Sequence, residues 1–232
     1  MGPTSRFSAN GMGGLEILSE DSGLVFCRGW REGAGGGRKD VLIVLPASES
    51  PAPTTLGGLA HQYSFKDELD SRWAVRPLEV VRDRGRTILV LEDPGGELLN
   101  GLLGVPMDVG RFLRIAVGVA AALSGVHRHG LIHKDIKPAN ILVKGAAGEE
   151  IRLTGFGVAS RLPRERQAPD PPEVVAGTLA YMAPEQTGAN TPAEWLEEAV
   201  FGIVNLLDRG AGVITSDEER KQLAELKSRD LG

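Results

Sequence analysis

A change of hydrophobic period at Asp93-Pro94-Gly95-Gly96 constrains the fold more than any other feature of this 232-residue chain. Before it, apolar residues come in short runs bounded by turn residues: LEIL, GLVFCRGW and DVLIVLP, then AVRPLEVVRD and RTILVLED around Asp83-Arg84-Gly85. Runs of that length and composition read as antiparallel strands. One helix interrupts them, with Leu56, Leu59, Tyr63 and Lys66 at helical spacing and Thr54 or Thr55 as its expected cap. After the break, MDVGRFLRIAVGVAAALSGVHRHG reads as one long helix, opened by Asp108 and stopped by Gly130. Its expected apolar face is Val109, Phe112, Leu113, Ala116, Val119, Ala120 and Leu123. Strands and helices segregated in this way predict an α+β fold in two lobes.

The boundaries follow from the same punctuation. Residues 1–14, small and Gly-rich, are expected to be a flexible leader, residues 15–94 a sheet-rich lobe, residues 95–188 a second lobe and residues 189–232 a helical tail. Two capping boxes, Thr191-Pro192-Ala193-Glu194 and Ser216-Asp217-Glu218-Glu219, open the tail helices. The first carries Trp195, Leu196, Val200, Ile203 and Leu207 and needs a partner surface, on the second lobe or on another chain. With 26 Lys+Arg against 31 Asp+Glu the net charge is −5, so no basic field points to nucleic acid or an anionic membrane. Ile115–Leu123, the longest apolar stretch, is far short of the roughly 20 residues a bilayer span needs. The lone Cys27 excludes an internal disulfide framework and a thiolate zinc site. Together these lead us to expect a chain of the reducing cytoplasm.

The chemistry sits in LIHKDIKPANILV, which puts His133, Asp135, Lys137 and Asn140 in one loop between the long helix and a strand pair. In the order H-x-D-x-K-P-x-N this loop resembles the catalytic loop of the protein kinase superfamily, in its serine/threonine form. Downstream, GTLAYMAPE (177–185) resembles the end of a kinase activation segment, with Thr178 near the acceptor site. The resemblance implies a two-lobed kinase-like fold, ATP and magnesium as cofactors and a protein as substrate or partner. It implies that Asp135 orients the acceptor hydroxyl and takes its proton, that Lys137 neutralises the transferring phosphate, and that Asn140 holds magnesium. His133 reads as a buried structural histidine. LVLEDPGG resembles the hinge between kinase lobes, where backbone groups near Glu92 and Asp93 would meet adenine. A plain strand ending in a turn has the same letters.

Several family features are missing. Where kinases carry Asp-Phe-Gly, with the Asp on magnesium, the chain has Gly155-Phe156-Gly157; where Val-Ala-Ile-Lys presents an ATP-gripping Lys, it has VLIV ending in Val44. Lys39 lies five residues earlier, on the order of 16 Å along an extended strand, and cannot take over. Gln62 stands near the expected acidic partner on the first helix, and Glu68 falls a turn too late. No G-x-G-x-x-G is present, and GAGGGRKD fails the G-x-x-x-x-G-K-[ST] pattern of a phosphate loop. Beyond Gly188 the helical lobe of a kinase is not legible. The tail instead resembles sequence from large multidomain sensor histidine kinases that begin with a kinase-like domain, which implies a shortened large lobe and leaves Glu185 without its usual Arg partner. These losses predict impaired phosphoryl transfer, or an inactive pseudokinase that serves signalling as a binding module.

Overall fold

The computed structural model describes residues 12–33, 36–83, 85–104, 106–145, 150–161, 178, 181 and 182. The first lobe is a five-stranded antiparallel sheet built from β1 (Met12–Asp21), β2 (Leu24–Glu32), β3 (Arg38–Pro46), β4 (Pro77–Asp83) and β5 (Arg86–Glu92), in the order β1-β2-β3-β5-β4. This is the expected meander plus hairpin, but it begins at Met12 rather than Leu15. The leader glycines are part of the strand: Gly13 pairs with Trp30, and a Cβ on Gly13 would come within 2.4 Å of the Trp30 ring. Glycine there makes room for an indole on a neighbouring strand.

The central strands β3 and β5 are buried on both faces. Val41, Ile43, Val90 and Cys27 fill one side, and burial pushes the Cys27 thiol up to about 11, so it stays an unreactive thiol. Leu42, Val44, Leu89 and Leu91 fill the other, under α1 (Pro53–Ser64). That helix opens at Ala52 with Pro53 in its first turn and no side-chain cap, so neither Thr54 nor Thr55 caps it; a proline at the first helical position already supplies the required φ and lacks the orphan N–H.

The second lobe contains β6 (Glu97–Leu98), α2 (Val109–Arg128), β7 (Leu131–Ile132), β8 (Ile141–Lys144), β9 (Glu150–Leu153) and β10 (Ser160–Arg161), in two small sheets, β6-β8-β9 and β10-β7. Among the described residues its helical part is incomplete, with α2 as the one long helix. Asp108 accepts the Arg111 backbone N–H at 2.9 Å and Gly130 follows the helix with φ +70°, both as expected from the sequence.

The buried face of α2 differs from the expected one. Ile115, Val119, Ala122, Gly125 and Val126 face the core, while Val109, Leu113 and Val117 are 56%, 53% and 67% exposed. Two overlapping apolar stripes run along this helix, and the close contacts select between them. Gly118 packs on Ile151 and Gly125 on Trp73, closer than any side chain would allow. By length and composition alone α2 could cross a bilayer, with mean hydropathy 1.5 over its best window, but its inner face belongs to the lobe core.

The lobes are joined by backbone. Ala74 bridges to Leu153, Val75 N–H donates to Leu153 O and Leu153 N–H donates to Trp73 O, both at 2.9 Å. The tail, with its two capping boxes, Trp195 and Glu185, lies outside the described residues, as does most of GTLAYMAPE. Two helix glycines give opposite predictions. Gly125→Ala drives a methyl into the Trp73 ring and should cost about 1–3 kcal/mol despite better helix propensity. Gly57→Ala in α1 meets nothing within 4 Å and should stabilise by about 0.5–1 kcal/mol; urea unfolding of both variants checks the pair.

Candidate active site

The loop from His133 to Asn140 runs between β7 and β8, and buried hydrogen bonds fix its shape. Asp135 N–H donates to His133 Nδ1 at 3.2 Å, which leaves the ring proton on Nε2, and Nε2–H donates to Thr154 O at 2.8 Å. Burial drives the His133 pKa down to about 4, against weaker upward pulls from the Thr154 bond and the Asp135 charge. The ring packs on Phe156, with centroids 4.4 Å apart, so His133 is a neutral structural strut. Lys134 takes a φ of +64°, which turns the chain so that Asp135 faces the junction of the lobes.

There Asp135, Lys137, Asn140 and Thr178 form one cluster. Asn140 Nδ2 donates to Asp135 O at 2.8 Å and to Asp135 Oδ2 at 2.9 Å, while Thr178 Oγ1 donates to Asp135 Oδ1 at 2.9 Å. Lys137 Nζ lies 3.1 Å from Asp135 Oδ2 and donates to Thr178 Oγ1 at 2.8 Å. Its shortest ion pair was not legible in the sequence: Asp21 Oδ2 at 2.6 Å, from the end of β1. Burial alone pulls the Lys137 pKa down; the hydrogen bond to Asp21 and the charge of Asp135 outweigh it and hold the ammonium above its ordinary value.

The side of the cleft that would face a metal and nucleotide has a different character. Gly155 has φ +82°, and a Cβ there would lie 2.5 Å from Asn140 Oδ1, so the Asn140 amide fills the space of a side chain at that position. Val44 is buried in an apolar cluster with Leu59, and Gln62 is buried on α1 with no hydrogen-bond partner for its Nε2 among the described residues. These three positions, which the kinase resemblance would make charged, are neutral together. The α1 helix nevertheless sits against the chain just after Gly155-Phe156-Gly157: His61 Nε2 lies 2.7 Å from Ala159 O, and beyond the end of α1 Arg161 Nε donates to Glu68 Oε2 at 3.0 Å.

The side chains of Glu92 and Asp93, and the Glu92 N–H, are all engaged within the fold. Glu92 N–H donates to Arg76 O at 3.0 Å, and its carboxylate accepts from Ser71 Oγ and the Arg76 backbone N–H. Asp93, almost fully buried, pairs with Arg28 at 2.7 Å and accepts from Gly95 N–H; Arg28 also donates to Gly96 O at 2.8 Å. Pro94, which follows them, has no N–H to offer. Leu42, Leu91, Leu98 and Leu142 share one buried cluster across the two lobes behind it.

Magnesium requires near-octahedral oxygen ligation. Gly155 supplies no oxygen from a side chain, and Asn140, whose Nδ2 is given to Asp135, is left with the neutral Oδ1 beside Gly155 as its one possible side-chain ligand atom. These residues do not fit the metal arrangement that the kinase resemblance implies.

A five-stranded lobe over a partly helical one, with a His-x-Asp-x-Lys-Pro-x-Asn loop at their junction, defines a protein-kinase-like domain. The protein kinase domain family matches residues 59–195, more than half of the chain, and the chain belongs to that family. It is 38% identical over 131 residues to the serine/threonine-protein kinase pkn2 of Myxococcus xanthus, covering 53% of this chain and 16% of that protein. It is 32% identical over 174 residues to the probable serine/threonine-protein kinase PkwA of Thermomonospora curvata, covering 68% and 22% respectively. To the Aurora/IPL1-related protein kinase 2 of Caenorhabditis briggsae it is 30% identical over 158 residues, covering 64% and 49%. The chain thus spans at most about half the length of these curated relatives.

The buried histidine makes stability pH-dependent. Between about 6.5 and about 4 the unfolded chain binds a proton that the native His133 refuses, so stability is complete above that window and falls as pH drops through it, by on the order of 3 kcal/mol. Urea midpoints at pH 7.5 and 5 should fall further for the wild type than for His133→Asn; equal falls would contradict a neutral native histidine.

Proposed function

We propose that this chain is a serine/threonine kinase-like domain in signalling whose transfer of phosphate from ATP to a protein hydroxyl is impaired. The asymmetry of the cleft carries the reading. Asp135, Lys137 and Thr178, on the acceptor side, are assembled with the distances general-base and charge-neutralising roles require. In this reading Asp135 orients the hydroxyl and takes its proton, and Lys137 offsets the charge of the phosphate. Val44 and Gly155, on the nucleotide side, provide neither an ammonium nor a carboxylate. Both groups act on charge that develops in the transition state, so losing them costs catalysis several kcal/mol.

A second reading, an inactive cytoplasmic module that regulates a protein partner, is favoured by the pairing of Lys137 with a carboxylate of the first lobe. One assay tests both. With labelled ATP, magnesium and a generic protein substrate, the wild type should transfer phosphate slowly, at or modestly above an Asp135→Asn control. Turnover in the usual kinase range of about 1–100 per second would overturn impairment. Transfer clearly above the control favours the first reading, and indistinguishable rates favour the second.

A further inference from the structure

The turn between β1 and β2 reaches across the cleft. A β-bulge interrupts the pairing of β1 between Ile17 and Ser19, and a bulge bends its strand and re-aims the residues beyond it. Past the bulge, Ser22 and Gly23 make a tight turn with φ +51° and +74°. Ser22 and Lys134 are the two non-glycine residues with positive φ among the described residues; Ser22 contacts Lys137, and Lys134 lies three residues before it in the loop. The turn is held down at two points: Asn100 Nδ2 donates to Ser19 Oγ at 3.2 Å, and Lys137 Nζ contacts Asp21 Oδ2 at 2.6 Å and Ser22 Oγ at 3.4 Å.

An ammonium has three N–H donors. Here four acceptors surround it, from Asp21, Thr178, Asp135 and Ser22, so none of the three is left for an incoming oxyanion. The Lys137 side chain is only 7% exposed, whereas the Asp21 side chain is 42% exposed and comes from the end of β1, beside a two-residue turn, rather than from the loop itself. Of the two carboxylates on Lys137, Asp21 is therefore the more easily displaced by an incoming anion.

We propose that Asp21 is a built-in anion that occupies the phosphate site of Lys137, so that a phosphate group enters only when the β1–β2 turn lifts away. The inference rests on the reading of Lys137 as a phosphate-facing residue. The ligand class is a phosphate oxyanion, whether the end of a nucleotide or free in solution. Displacement costs the protein one partly exposed ion pair, a contact of modest strength, so the turn tunes affinity and does not abolish it.

The test is calorimetric titration of the full chain, in EDTA, with inorganic triphosphate and separately with ATP, for the wild type, Asp21→Asn and Asp21→Asn/Lys137→Met. Asp21→Asn should bind about three- to tenfold more tightly, and the gain should vanish in the double variant. A gain for both probes assigns the site to phosphate whatever its source, and a gain for ATP alone assigns it to a nucleotide. If Asp21→Asn binds no more tightly than the wild type, including no binding by either, or if the gain survives loss of Lys137, the proposal is overturned. Asp21→Ser reads the same contact should Asp21→Asn fold poorly. Because these titrations measure affinity and the Asp135→Asn assay measures transfer, failure of the turn proposal and failure of the kinase reading are separable.

Discussion

The buried ammonium of Lys137 organises the site. A charge removed from water is tolerated only with close counter-charges and filled hydrogen bonds. Asp135 supplies one carboxylate from the same loop, Asp21 another from the opposite lobe, and Thr178 a hydroxyl from the activation segment. One side chain therefore draws together parts of the chain more than a hundred residues apart. Asn140 completes the arrangement by holding both the carbonyl and the carboxylate of Asp135, which leaves the acceptor side rigid.

The nucleotide side follows an opposite rule. Val44, Gln62 and Gly155, the positions at or near which the kinase resemblance would put a lysine, an acid and a metal-binding aspartate, are all uncharged. A lone charge at Val44 would be buried and unpaired, which is costly in the apolar cluster around Val44 and Leu59. The steric fit of Asn140 over Gly155 extends the same point, because an aspartate could not return there unless Asn140 moved.

Much of the architecture was legible because it is local. Period-two runs, the Asp83-Arg84-Gly85 turn, the Asp108 cap and the Gly130 stop mark strands and helix ends directly, and the loop from His133 to Asn140 is readable because its polar residues are contiguous. The errors arose where distant packing decides. Gly13 and Gly14 looked like leader and serve Trp30, and the α2 stripe is chosen by Trp73 and Ile151. Asp21 and Arg28 carried no sequence signal for their partners, although Asp21-Ser22-Gly23 does signal a tight turn. Ion pairs across 65 and more residues depend on the finished fold.

In the proposed reading this kinase-family cleft keeps its acceptor side and lacks the carboxylate that would bind a metal with the nucleotide. Calorimetric titration of ATP in excess magnesium, compared with the same titration in EDTA, addresses it directly. With no carboxylate at Gly155 and only the neutral Oδ1 of Asn140 beside it, the affinity should be the same within about twofold in the two conditions. A tightening of about tenfold or more by magnesium would contradict the account.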